Sequence, residues 1–344
     1  MINLGENLER IVNENKASVS YRPEIRKEVR KEINHNFGSL NSFKSRLRHD
    51  VISTPDDPNF KNIYELYSRS LDLKTETKQK LIGGLSFNSS PEFKEGYGPM
   101  EENWMVLFHP FKDKIIGASH INMNLFNDME SRSVGTLQEL HTMVAPEYGN
   151  LGLDSLIFKK NVDYLKKFWL DSKQEALMGN TYMHLFNEQK NPLMITAEEY
   201  ILDAETVGID LCDRLLMQQM ENFGELDFNY LIPGIDSGTG PSRSFTLNMR
   251  TNQKYVSPSL VIGHLKRFIH FSILNGNDPM EDLSFMEMKN ELELEFMEKG
   301  IAVLRPDYRK LKDVIYSLDV DTGELNMSIS HLMFDRGIEL RPYK

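Results

Sequence analysis

A single cysteine, Cys212, stands in 344 residues. No internal disulfide framework and no cysteine-rich zinc module can form from it, and in a helical setting it reads as a small buried hydrophobe, not a nucleophile. No window approaches the ~18 consecutive apolar residues of a membrane span. The opening M-I-N-L-G-E-N-L-E-R-I-V has neither a positive lead nor an apolar run of signal-peptide length, so the expectation is a cytoplasmic chain with no membrane partner. Basic charge is in deficit as well: 40 Lys and Arg against 51 Asp and Glu leave a formal net charge of -11. That argues against a nucleic-acid partner, which needs a basic face. The sequence also lacks G-x-G-x-x-G, G-x-S-x-G and H-E-x-x-H, so dinucleotide enzymes, serine hydrolases and zinc peptidases lose their usual handles.

Two short runs imitate ligand loops and fall short of them. Ser237 to Arg243, S-G-T-G-P-S-R, lacks the Lys-Ser/Thr of a phosphate loop and reads as a turn between strands. D-V-D-T-G-E lacks the remaining ligands of a calcium loop and its closing glutamate, so a hairpin around Asp321 to Gly323 is expected. His120 and His184 lie on flanking strands, where lone histidines are satisfied core or surface residues more often than ligands. No metal site is expected.

What is present is an ordinary globular composition, 40% hydrophobic and 26% charged, long enough for roughly two domain-sized units. Ile25, Val29 and Ile33 recur at four-residue steps among dense charges, predicting an amphipathic helix within 22 to 49 whose charged face is solvated. N-I-Y-E-L-Y-S-R-S-L reads as a short helix. From Asn103 the texture changes to strands: two joined by a turn at Pro110 to Lys114, then T-L-Q-E-L-H-T-M-V, then A-L-M-G-N-T-Y-M-H-L-F after a helix from Leu153 to Phe168. Thr196 and Glu199 form a capping box opening a helix from Ala197 to about Asn222. E-L-D-F-N-Y-L-I-P and S-F-T-L-N-M-R read as further strands, and an acidic helix ends at Gly300. The order of elements implies an α/β or α+β sheet protein, not a bundle.

The stretch V-A-P-E-Y-G-N-L-G-L-D-S-L-I-F, Val144 to Phe158, is a strand feeding a glycine-rich turn and then a helix. Such a join presents backbone N–H groups and the positive helix end to an anion, phosphate above all. These residues resemble motif A of the GNAT acyltransferase superfamily, a strand running through Pro-x-x-Arg/Gln-x-x-Gly-x-Gly/Ala into a helix. Pro146, Glu147, Tyr148, Gly152 and Leu153 match, as do Leu156, Ile157 and Phe158. The strand order around the motif fits over roughly residues 55 to 275. Two positions depart: Gly149 stands at the Arg/Gln position and Asp154 at the last Gly/Ala, where its carboxylate competes with an anionic ligand.

The resemblance implies a mixed, mostly antiparallel sheet flanked by helices. Its parts are a helical N-terminal extension over 1–50, a GNAT-like domain over 51–276 with an insertion near 187–212, and a small C-terminal α/β appendage over 277–344. It implies an N-acyltransferase that takes acetyl-CoA or another acyl-CoA as donor and a small-molecule amine as acceptor. Gly149, Asn150, Leu151, Gly152 and Leu153 would hold the donor's pyrophosphate, and backbone N–H groups around Met143 and Val144 the acyl arm and oxyanion. Glu139 is the expected base, with His141 as its helper or substitute. By the two-residue period Glu139, His141 and Met143 share one face of their strand. For the general acid, the family's last helix would place Met220 where a tyrosine is needed and Gly224 at the glycine, so Tyr182 or Tyr200 is left as a candidate. Two alternatives stay open: a GNAT-fold protein that binds a ligand or partner without catalysis, and an acyltransferase using acyl carrier protein. The oligomeric state is not legible.

Overall fold

The structure is a computed structural model that describes residues 2–17, 23–70, 84–128, 133–172, 182–234 and 240–339. In chain order it begins β1 (Ile2–Asn3), α1 (Leu4–Ala17), α2 (Pro23–Phe37), α3 (Leu40–Ser45), β2 (Arg48–Ile52), α4 (Phe60–Ser70), β3 (Met100–Phe108) and β4 (Ile115–Asn127). Then come β5 (Ser133–Val144), α5 (Leu153–Asp171), β6 (Tyr182–Lys190), α6 (Ala197–Val207), α7 (Leu211–Met220), β7 (Phe223–Leu226), β8 (Phe245–Arg250) and β9 (Tyr255–Val256). The chain closes with α8 (Pro258–Phe268), α9 (Leu283–Glu295), β10 (Ile301–Leu304), α10 (Tyr308–Tyr316), β11 (Asp319–Val320) and α11 (Ile329–Asp335). The fold is mixed α/β with a mostly antiparallel sheet flanked by helices. No described helix is long and apolar enough to cross a membrane.

The chain divides into two compact units, one of 19–186 with 259–281, the other of 1–18, 187–258 and 282–344. We call them the meander unit and the composite unit. They cut across the three consecutive segments 1–50, 51–276 and 277–344 expected from the resemblance, because the chain leaves each unit and later returns to it.

In the meander unit β2, β3, β4 and β5 pair in order, each antiparallel to the next, and β6 follows β5. Alternation along β4 sorts its side chains. Ile121, Met123 and Leu125 join Leu137 in packing against Leu165 and Trp169 of α5. The helix lies close to the sheet because Gly117 and Gly135 leave it room: a Cβ would come within 2.8 Å of Ile157 at the first and 2.6 Å of Trp169 at the second. On the opposite face His120, Asn122 and Asn124 are buried. Ala176 to Thr181, the expected start of β6, lie outside the described residues, as do Ser237 to Thr239 of the glycine cluster.

In the composite unit β7 pairs β8 and β10, and β10 pairs β9, all antiparallel. Of the expected strand E-L-D-F-N-Y-L-I-P only Glu225 and Leu226 lie in β7, and an isolated bridge, Ile232 to Ser242, follows. The capping box of Thr196 and Glu199 opens α6 as expected. The single helix to Asn222 is instead two, since Gly208 at φ 73° ends α6 and Asp210 caps α7. The hairpin at Asp321 to Gly323 does not form either. Asp321 and Glu324 close a capping box over a 3-10 turn, and β11 pairs β1 from the other end of the chain.

Asp210 ties this unit's helices together. Its buried carboxylate accepts from the Tyr200 hydroxyl at 3.1 Å, the Tyr316 hydroxyl at 3.2 Å and the backbone N–H groups of Cys212 and Asp213 at 2.9 and 3.3 Å. Asp210→Ala removes the cap and the carboxylate to which two tyrosine hydroxyls donate, and is expected to cost about 2–4 kcal/mol. Asp210→Asn keeps the acceptor oxygen and is expected to lose less than half of that; urea unfolding of both variants measures the difference.

Candidate functional site

Beyond Val144 the chain makes one 3-10 turn, Pro146–Tyr148, and then reverses through two left-handed residues, Asn150 at φ 60° and Gly152 at φ 65°. Asparagine and glycine are the residues that tolerate this conformation, and Gly152 there becomes the N-cap of α5 with no side-chain cap of its own. The first N–H groups of a 19-residue helix are therefore left for an outside acceptor. The turn is pinned from below by Tyr148, which is buried and stacks on Phe43 of α3 at 6.4 Å. Burial holds its phenol up at about 12.

That stacking has an electrostatic consequence. A Cβ placed on Gly152 would sit 3.0 Å from the Lys44 ammonium, and one on Gly149 would sit 3.0 Å from an Arg26 guanidinium nitrogen. Arg30 Nη2 donates to the Asn150 carbonyl at 3.5 Å. Three cations from α2 and α3 thus stand over the turn, beside the positive end of α5. Lys114 is also close, but Glu147 matches its charge at 2.5 Å. Asp154 is exposed in the first helical turn. The charged face of α2 was expected to be merely solvated. The signal was available in Arg26 and Arg30, four apart and flanking the apolar stripe of Ile25 and Val29, but the distance to Gly149 is a tertiary fact.

The strand leading in does not have the even alternation expected of it. Ile121 pairs with Glu139 while His120 pairs with His141, so Leu140 is an extra residue, a β-bulge. Paired residues share a face and consecutive ones do not, so Glu139 goes to the Ile121 side and His141 to the His120 side. The expectation that Glu139, His141 and Met143 share a face is corrected: Met143, opposite Ala118, goes with His141. Glu139 accepts a short hydrogen bond from the Thr142 hydroxyl, which also reaches Ser119 Oγ at 2.9 Å; Asn161 of α5 donates to the same Ser119 oxygen at 3.0 Å.

His141 belongs to a different neighbourhood, 5.4 Å from the Tyr67 ring and 6.1 Å from that of His120. His120 is stacked on Trp104 at 4.4 Å and bonded to Glu102 at 2.9 Å, and Glu102 also accepts from Ser272 at 2.5 Å. Among the described residues no three of His, Cys, Asp and Glu converge as metal ligands.

At the end of β5, Ala145 N–H donates to Ile116 carbonyl at 2.9 Å. Alternation then turns the Met143 N–H toward β4 and the Val144 N–H to the opposite edge, so of the two expected backbone donors Val144 is the one not committed to β4. The acid candidates fare differently. The Tyr182 side chain lies outside the described residues. Tyr200 is fully buried in the composite unit with its hydroxyl on Asp210 and Cys212, and desolvation raises it well above the usual phenol range. Cys212 is buried with its thiol pushed up to about 12, as a small hydrophobe would be. Met220 is exposed at the end of α7.

No protein-family model matches the chain. No curated protein matches it either. Solved structures to which it is similar include Arabidopsis thaliana Naa50 in complex with the bisubstrate analogue CoA-Ac-MVNAL, at 9% identity over 60% of this chain and 99% of that one, with a TM-score of 0.32. The PaiA N-acetyltransferase of Thermoplasma acidophilum in complex with coenzyme A is similar at 8% identity over 59% and 99%, TM-score 0.29. An acetyltransferase of the GNAT family from Streptococcus pneumoniae is similar at 13% over 59% and 98%, TM-score 0.30.

The bulge yields a prediction about coupling. In double-mutant cycles on stability, Glu139→Gln with Thr142→Val is expected to show about 1 kcal/mol of interaction, as hydrogen-bonded partners do. Glu139→Gln with His141→Gln should stay within about 0.5 kcal/mol of additivity. A strong Glu139–His141 coupling would restore the even strand.

Proposed function

We propose that this chain is a divergent member of the GNAT superfamily, an acyl-CoA-dependent N-acyltransferase that moves an acyl group, acetyl in the first instance, to a small-molecule amine in the cytoplasm. The observation that carries the reading is the set of cations over the Asn150–Gly152 turn. Arg26, Arg30 and Lys44 gather positive charge at the turn, and a doubly charged pyrophosphate would be drawn to it while taking the uncapped N–H groups. They also supply the charge missing at Gly149, where the motif's Arg or Gln would stand. Glu147 of the turn is matched by Lys114, and the three cations outnumber exposed Asp154.

Acyl-CoA supplies an activated thioester carbonyl. The chain's part is to hold the donor and to manage the acceptor's proton. Arg26, Arg30, Lys44 and the residues from Gly149 to Leu153 hold the phosphates, and the Val144 N–H faces the edge of β5 along which the acyl arm would lie. Glu139, fixed by Thr142, takes a proton from the acceptor ammonium, and the neutral amine then attacks the thioester carbonyl; the C–S bond breaks as the amide forms, and CoA leaves as a thiolate that solvent protonates. His141 lies on the other face of β5 and is not its relay. Acyl carrier protein offers one phosphate where CoA offers three, so the cation set favours CoA as donor.

Calorimetry with CoA tests the donor site. Lys44→Glu and Arg26→Glu are each expected to weaken binding about tenfold or more, since a charge-assisted hydrogen bond contributes about 1.5–3 kcal/mol. Gly152→Glu should do the same by filling the turn. With acetyl-CoA and a panel of amines, polyamines and aminoglycosides, free-thiol release should fall ~100-fold in Glu139→Gln with CoA binding unchanged, and recover in part at high pH, where the amine arrives deprotonated. No CoA binding by the wild type sinks the reading. Tight CoA binding with no turnover on any amine leaves the non-catalytic alternative in its place.

A further inference from the structure

The composite unit holds a cavity of about 370 Å³ that none of the acyl-transfer residues touches. Its walls come from β7 and the residues after it, from β8, and from α10, including Glu225, Asp227, Phe228, Phe245 and Tyr308. We infer that this cavity is a second small-molecule site, and that it takes a primary amine carrying an apolar or aromatic body.

Size, charge and aromatic surface point the same way. The volume lies at the low end of the range for ligand sites, about 300–1,000 Å³, so the guest is small. Three charged side chains among the described residues line the cavity: Glu225, Asp227 and Arg243. Arg243 is matched by Glu287 at 3.4 Å, outside the lining. Glu225 and Asp227 have no such partner among the described residues, and the Glu225 carboxylate accepts its hydrogen bond from the Tyr308 hydroxyl at 3.3 Å. The remaining negative charge is met best by an ammonium. The rings of Phe228, Phe245 and Tyr308 suit the body of such a guest, and a cation near aromatic faces gains further attraction. Glu225 is well placed to recognise it because β7 is held between β8 and β10, so the carboxylate is presented from a fixed backbone.

Desolvation by burial raises Glu225 to about 7, opposed by the Tyr308 hydrogen bond and aided by Asp227. The groups acting on it are therefore Tyr308 from α10 and Asp227 beyond β7, and Arg243 is the other charged residue of the cavity lining. With its value near 7 the Glu225 carboxyl is mostly protonated at pH 6 and mostly ionised at pH 8, so an ammonium guest binds more tightly as pH rises and displaces the proton. Without a guest, ionising Glu225 lowers stability as pH rises from its ordinary value of 4.5 to about 7.

Tyramine is a suitable probe, with 4-ethylphenol as its neutral analogue and 3-(4-hydroxyphenyl)propionate as its anionic one, titrated calorimetrically into the full chain. Tyramine is expected to bind at least tenfold more tightly than 4-ethylphenol and about tenfold more tightly at pH 8 than at pH 6, with no measurable heat from the propionate. Glu225→Gln is nearly isosteric and should lose at least tenfold in tyramine affinity, while its melting temperature at pH 8 is equal to or above that of the wild type. Absence of tyramine binding overturns the inference, as does equal binding of 4-ethylphenol or full binding in Glu225→Gln. Because no residue is shared with the donor turn, CoA binding and tyramine binding can fail separately.

Discussion

Leu140 has no partner on β4, and the geometry of the proposed site depends on that one unpaired residue. A strand with even alternation would put Glu139, His141 and Met143 on one face. The extra residue divides them, sending Glu139 to the α5 side with Thr142 and Ser119, and His141 to the side of Tyr67 and His120. Past the bulge the strand resumes pairing, ends at Val144, and enters a turn that only a pair of left-handed residues can make. The carboxylate and the anion turn thus lie on one continuous path of backbone, each held by the pairing of β4 with β5. The close approach of α5 over Gly117 and Gly135 fixes the far side of that path.

How much of this could be read in advance depended on whether the determining contact was local. β3, β4 and β5 announced themselves by long apolar and alternating runs, α2 by Ile25, Val29 and Ile33, and α6 by the reciprocal capping of Thr196 and Glu199. The glycine-rich turn was legible because positive φ demands particular residue types. The bulge was not, since Leu140 is an ordinary strand residue and only the register against His120 and Ile121 reveals it. The pairing of β11 with β1 joins the two ends of the chain, and no local pattern can report that. The break between α6 and α7 did have a local signal, Gly208 followed by Asp210, a helix stop and an N-cap within three residues.

The cations over the turn illustrate how net charge misleads about sites. With a formal charge of -11 the chain looks unsuited to anions, yet Arg26, Arg30 and Lys44 converge where backbone N–H groups are also exposed. Screening confines each charge's reach to about 8–10 Å at physiological salt, so a ligand responds to the local set and not to the sum over the surface. The same argument run in reverse applies to the composite unit's cavity, where Arg243 is matched by Glu287 and two carboxylates remain.

Asp210 and Glu225 make the distinction between a structural and a poised carboxylate concrete. Burial raises both above the usual carboxylate range. Asp210 receives hydrogen bonds from Tyr200, Tyr316 and two backbone N–H groups, which fill its acceptor positions and leave nothing for a guest. Among the described residues Glu225 receives one, from Tyr308, and it fronts a cavity. Desolvation is common to the two and so cannot tell them apart; the number of donors already in place does. A carboxylate with its lone pairs occupied holds helices together, whereas one left short of donors is stabilised most by whatever cation reaches it, which makes the group with the fewest internal partners the place to look for a ligand.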